Sequence, residues 1–164
     1  MLTLLTSSPA QGQRSFDVVD LTLLLAIAHH LAVFALVAIF AAEFALLRPG
    51  LDGKSLNRLG KIDLAYGGIA GIVLVVGLLR VLFGGTGWEY YAGNWAFWAK
   101  MAALIGIGLL SVPPTIAIIR WRKAATPPAD ADVNTARRYL HLQAGLLLLV
   151  PVFAAAMAKG YGTM

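Results

Sequence analysis

From Asp20 to Leu47 the chain reads LTLLLAIAHHLAVFALVAIFAAEFALL behind an aspartate, an apolar run that nonetheless contains His29, His30 and Glu43. A bilayer crossing takes roughly 20 predominantly apolar residues, and a segment surrounded by lipid must satisfy its own backbone, so the run is read as a helix. Three further runs of similar length follow, at 62–83, 95–119 and 138–158. With 59% hydrophobic and 13% charged residues, the chain lacks the polar surface a soluble domain needs. The fold expected is all-α: a polytopic bundle of four transmembrane helices, spans 20–47, 62–83, 95–119 and 138–158, forming one domain over residues 20–159. Residues 1–19 make a flexible or interfacial tail, and 160–164 a short C-terminal one.

Local signals punctuate the four spans. Arg48-Pro49-Gly50 stops the first, Ser55 is placed to cap the helix leading into the second, and Gly84-Gly85-Thr86-Gly87 ends it. The stretch WEYYAGNW then supplies an aromatic belt, Trp88, Tyr90, Tyr91, Trp95 and Trp98, at headgroup level. Pro113-Pro114 and Pro151 should kink the third and fourth spans, with Ser111 and Thr115 placed to satisfy carbonyls the first pair frees. RWRKAATPPADADVNTARR reads as the longest loop, polar and flexible. The N-terminus lacks the basic start and long apolar core of a cleavable signal, and Leu2, Leu4, Leu5 and Phe16 suit a membrane surface.

Charge placement narrows the function classes. The net charge of +5 sits at the ends of apolar runs, as juxtamembrane charges do, which argues against nucleic acid as a partner and for the lipid bilayer, with a homo-oligomer left open. Absence of cysteine removes disulfides, thiolate metal sites and thiol catalysis. Arg48, Lys54, Arg58 and Lys61 fall between spans one and two; Arg120, Arg122, Lys123, Arg137 and Arg138 fall between three and four. The other side has only Arg14 and Lys159, so the positive-inside rule places loops 48–61 and 120–138 in the cytoplasm and both termini outside a cell inner membrane.

Helical spacing then sorts the intramembrane polar residues. Positions seven apart drift only about 20° on a helix, so Thr22, His29, Leu36 and Glu43 share a stripe and His30 turns away from it. On span two, Asp63, Tyr66, Ala70, Val73, Gly77 and Arg80 follow i, i+3, i+4 spacing, and on span four His141, Gly145 and Leu148 line one side. By depth, Arg80 and Lys100 form an outer level with Glu89 as nearest acid, while Glu43, Asp63 and His141 form an inner one. An ionisable side chain in lipid marks a functional site by default. The plainer readings are snorkelling for Arg80 and Lys100, a helix-start role for Asp63, an interfacial one for His141, and close packing for Gly67-x-x-x-Gly71. His29 and His141 differ in depth by about 15 Å at 1.5 Å per residue, so they cannot clamp one iron, which leaves His29 or His30 as a sole axial ligand. A tight zinc or copper signature is absent.

The segments AHHLAVFALVAIFAAEFALLRP, GKIDLAYGGIAGIVLVVGLLR and NWAFWAKMAALIGIGLLSVPPT, with His141 near the start of the last span, resemble a bacterial family of small four-helix membrane proteins of unknown function. More distantly, the chain is similar to four-helix bacterial protoporphyrinogen oxidases and the membrane domain of copper-resistance proteins. That similarity implies that His29 or His30 matches a first-span histidine, Trp98 with Lys100 a later Trp–Lys element, and Arg80 a basic residue suited to tetrapyrrole carboxylates. The doubled histidine departs from those patterns.

Taken together, the residues point to an inner-membrane protein holding a tetrapyrrole, haem or porphyrin, or another redox ligand. The candidates for ligand binding or proton transfer are His29, His30, Glu43, Arg80, Trp98, Lys100 and His141; no catalytic residue is assigned. The alternatives are a proton-coupled transporter or channel-like subunit, and a non-catalytic assembly protein.

Overall fold

The computed structural model describes residues 9–83, 87–124 and 127–162, with side chains from residue 21 onward. The surface roles expected of Leu2, Leu4, Leu5 and Phe16, and the turn at Gly84–Thr86, lie outside what is described. Among the described residues five helices account for the fold: α1 (Pro9–Leu46), α2 (Gly53–Phe83), a single-turn α3 (Trp88–Ala92), α4 (Trp95–Lys123) and α5 (Asp130–Ala158). Four of them contain a stretch long and apolar enough to cross a membrane, from Leu21 onward in α1.

Every long helix extends past its expected span. α1 begins at Pro9, ahead of the expected span. The polar stretch after span three, read as a long loop, is entered by helix from both sides, α4 running to Lys123 and α5 starting at Asp130. Charge explains the extension: Arg120, Arg122 and Lys123 fill the last turn of α4, and Asp130 and Asp132 the first turn of α5, each complementing the local end of the helix dipole. The cap of α2 also differs from expectation. Asp52, not Ser55, holds the start of the helix, its carboxylate accepting the Ser55 backbone N–H at 2.7 Å.

α1 packs on α2 and α4 on α5, and the two pairs meet chiefly through α2 and α4. The densest packing lies at the end with the basic loops, where Leu47, Leu59, Ile118, Val133 and Leu140 are fully buried. Leu24, Leu31, Phe34, Leu64 and Leu148 point outward, as they should where the surrounding solvent is hydrocarbon. Loop 47–52 is tied to α5. Arg137 donates to the Leu47 carbonyl at 3.2 Å and lies 5.0 Å from the centre of the Phe44 ring, while Asp130 accepts the Gly50 N–H at 3.1 Å. Gly50 takes φ +80°, which a side chain would resist.

The opposite end is aromatic. Trp88 and Tyr91 on α3 pack against Phe97, and the Trp98 indole donates to the Ala92 carbonyl at 3.0 Å. Asn94, completely buried, caps α4 by accepting the Ala96 N–H at 2.9 Å, and the C-terminal residues fold onto that cap. The Trp95 N–H donates to the Gly162 carbonyl at 2.9 Å, and the Tyr90 hydroxyl donates to that of Met157 at 3.0 Å.

Candidate functional site

Stripe spacing on α1 and α2 places the inward polar residues. Leu36 and Glu43 are buried and His29 half-buried on one side of α1; Asp63, Tyr66 and Val73 are buried on α2. These residues form two polar groups, one toward each end of the helices.

At the basic end, Glu43 is 3% exposed and Asp63 8%. The Thr115 hydroxyl on α4 donates to Asp63 Oδ1 at 2.6 Å, and the carboxylates of Glu43 and Asp63 lie within electrostatic reach of each other and of Tyr66. Arg122 adds a positive charge near Asp63 and covers Gly60, where a Cβ would meet the guanidinium at 2.8 Å. The Tyr66 hydroxyl donates to Gln143 Oε1 at 3.3 Å, and the Gln143 amide donates to the Leu110 carbonyl at 3.0 Å. Buried polar groups are costly unless bonded, and this chain of contacts across α2, α4 and α5 satisfies several at once. Among the described residues, no hydrogen bond or ion pair ends on the Glu43 carboxylate.

This arrangement corrects the expected handling of the proline pair. Pro114 removes the donor that Leu110 would have had, and the replacement comes from Gln143 on another helix. Ser111 donates to Gly108 at 2.7 Å, and Thr115 is committed to Asp63. Gln143 and Thr115 are therefore residues that sequence reasoning did not place in the site. A lone amide in an apolar span was the available signal for Gln143, since such a group must find a partner.

Toward the aromatic end, the His29 ring faces Gly77 of α2; a Cβ at Gly77 would stand 3.3 Å from His29 Cε1 and 3.7 Å from Nδ1. His29 Nδ1 is buried and has no hydrogen-bond partner among the described residues. Arg80 on α2 and Lys100 on α4 are the cations in reach of this imidazole, and Lys100 lies 5.5 Å from the centre of the Phe97 ring. Glu89, expected as the acidic partner of this pair, is exposed on α3, and no ion pair joins it to either cation among the described residues.

The remaining candidates stand apart from both groups. His30 is exposed and its Nδ1 is 2.6 Å from its own Ala26 carbonyl; its ring meets that of His29 edge-on. His141 is exposed, 2.8 Å from the Arg137 carbonyl and packed on Phe44, and Gly145 and Leu148 face outward with it. Trp98 belongs to the aromatic end cluster. Among the described residues, no group of His, Asp and Glu is arranged to hold a metal ion.

A groove of about 660 Å³ runs between α2 and α4. Asp63, Tyr66, Thr115 and Arg122 line its basic end, and Leu36, Val73 and Leu104 its other end. Val73 and Leu104 are one helical turn from Gly77 and Lys100, and Leu36 is two turns from His29, so the groove leads from the acidic group to the foot of the imidazole group.

A family model described as "Predicted membrane protein (DUF2214)" matches residues 21–162 of the chain, spanning all four long helices. The comparisons with curated proteins and with solved structures found no match.

Proposed function

The chain belongs to the DUF2214 family of predicted membrane proteins, and from that premise we propose that it binds a membrane-soluble redox ligand of the tetrapyrrole or quinone kind within a four-helix bundle. One observation carries the reading: the Nδ1 of His29, buried and without a hydrogen-bond partner among the described residues, with Arg80 and Lys100 in electrostatic reach. An imidazole nitrogen withheld from both water and protein costs stability, and a ligand oxygen would offset that cost. The two cations suit the carboxylates of a tetrapyrrole or the reduced oxygens of a quinone. The bundle would sit in an inner membrane with its basic loops cytoplasmic.

The test is an absorption spectrum of freshly purified protein, solvent extraction of any bound porphyrin or quinone, and titration of the emptied protein with both. A bound ring that is lost in His29→Ala and weakened in Lys100→Gln is the expected result. A preparation that yields no such compound and takes none up rules the reading out.

A second reading has its own support, since Glu43 is buried without a hydrogen bond among the described residues and the groove runs on from Asp63. A carboxylate at the entrance of a path that ends below an imidazole, with a second buried carboxylate in electrostatic reach, would serve to relay protons. Proton flux in liposomes that Glu43→Gln or Asp63→Asn abolishes would favour it; flux equal to protein-free liposomes would exclude it.

A further inference from the structure

Packing of α1 on α2 brings two acids face to face. The His29 ring lies against Gly77, and the Phe40 and Tyr66 ring centres are 5.9 Å apart. Eleven residues along α1 from His29 to Phe40 thus match eleven back along α2 from Gly77 to Tyr66, and three more on each helix reach Glu43 and Asp63. A three-residue step stays on the same side of a helix, so Glu43 is aimed across the contact at Asp63. Each acid is more than nine-tenths buried.

The charges here do not balance. Asp63 has Thr115 as a donor and the exposed Arg122 in electrostatic reach. Glu43 has no hydrogen bond or ion pair among the described residues, and the acid opposite repels it. Arg137, which α5 brings to this end of α1, is engaged with the Leu47 carbonyl and the Phe44 ring, and the exposed His141 packs on the same ring. Two carboxylates against one guanidinium leave one negative charge shielded from water, where an unpaired ion is costly.

We propose that Glu43 and Asp63 together bind one sodium ion. Hard cations take oxygen ligands, and two neutral oxygens belong to the same group. The Thr115 hydroxyl directs its proton to Asp63 and the Tyr66 hydroxyl directs its proton to Gln143, so both oxygens keep lone pairs for a cation. One positive charge restores the balance. A divalent ion would overshoot it, and among the described residues no third acid or histidine joins the pair. Phe40, Leu59 and Tyr66 belong to one buried cluster at this contact, which favours a small alkali ion over a larger one. Entry is short, because Asp63 lies two residues beyond Lys61 and lines the open end of the groove with Arg122. The site uses neither His29 nor its cations, so it stands apart from the redox-ligand reading. It shares its carboxylates with the relay reading but requires no proton movement.

The full chain in detergent, exchanged into choline chloride and titrated with sodium chloride at constant ionic strength and pH, tests the assignment by thermal unfolding and by binding of radioactive sodium. The expected result is a saturable rise in the unfolding midpoint and one sodium retained per chain, with potassium needing at least about tenfold higher concentration. Glu43→Gln replaces the unpaired charge with a neutral amide. It should unfold no earlier than the unaltered chain in choline chloride and lose the sodium response, whereas a purely structural acid would lower the midpoint and leave the response in place. Asp63→Asn should lose the response as well, and decides the matter if Glu43→Gln does not fold. Equal midpoints in sodium and choline overturn the proposal. So does a sodium response that survives both substitutions. A midpoint that follows pH alone, with no sodium dependence, overturns it in favour of a proton on the pair. Proton flux in liposomes that sodium leaves unchanged does the same, while keeping the relay reading.

Discussion

The Gln143 side-chain amide on α5 donates, at 3.0 Å, to the Leu110 carbonyl on α4, the same carbonyl that Pro114 leaves without a helical donor. A proline that would leave a backbone oxygen stranded in lipid is thereby accommodated by a neighbouring helix, and the contact fixes the register of α5 against α4.

Gln143→Leu should strand that carbonyl together with the Tyr66 hydroxyl and cost about 1–3 kcal/mol. The loss is read from unfolding in detergent. In a Pro114→Ala background, residue 114 regains an N–H for Leu110, so the same substitution should cost less. Equal losses in the two backgrounds would show that the amide–carbonyl contact contributes nothing.

Gly162 sits at φ +99° against the cap of α4, where a Cβ would lie 2.7 Å from Asn94 Oδ1 and 3.0 Å from the Trp95 indole nitrogen. Gly162→Ala should therefore lower stability by about 1–3 kcal/mol through strain and displacement of the cap. Gly160→Ala, at φ +77° but in open space, should cost less. Thermal unfolding of the two variants side by side checks the order, and the reverse ranking would remove the C-terminal segment from the account of this end.

The Ser55 hydroxyl and backbone N–H hold the exposed Asp52 carboxyl below the usual carboxylate range. A depressed folded-state value means the stabilisation is complete above the unfolded value of about 4 and lost as pH falls through the folded one. Asp52→Asn should flatten that acid-side part of the stability profile of α2, measured by hydrogen exchange at Leu56 and Leu59. An unchanged acid-side slope would assign the pH dependence to other groups.

Because the chain has no cysteine, single cysteines report its orientation cleanly. Asn134→Cys, near the basic loop, should be protected from an impermeant thiol reagent in intact cells, and Glu89→Cys on α3 should be labelled. The opposite pattern would invert the topology inferred from Lys and Arg placement.

The four apolar runs determined the number of long helices, because a backbone in hydrocarbon has no other means of satisfying itself than helix or closed barrel. Seven-residue spacing likewise put Glu43 on the inward side with Leu36, and i, i+3, i+4 spacing did the same for Asp63 and Tyr66, since periodicity is a property of one helix alone. Periodicity cannot say which helices adjoin. Only the tertiary structure brought Thr115 to Asp63, Gln143 to Leu110 and His29 to Gly77, because each pairing depends on the relative rotation and height of two helices distant in sequence. Nor did local pattern separate His29 from His30. Packing against α2 left one imidazole's Nδ1 buried without a hydrogen-bond partner among the described residues, while the other turned back to its own Ala26 carbonyl.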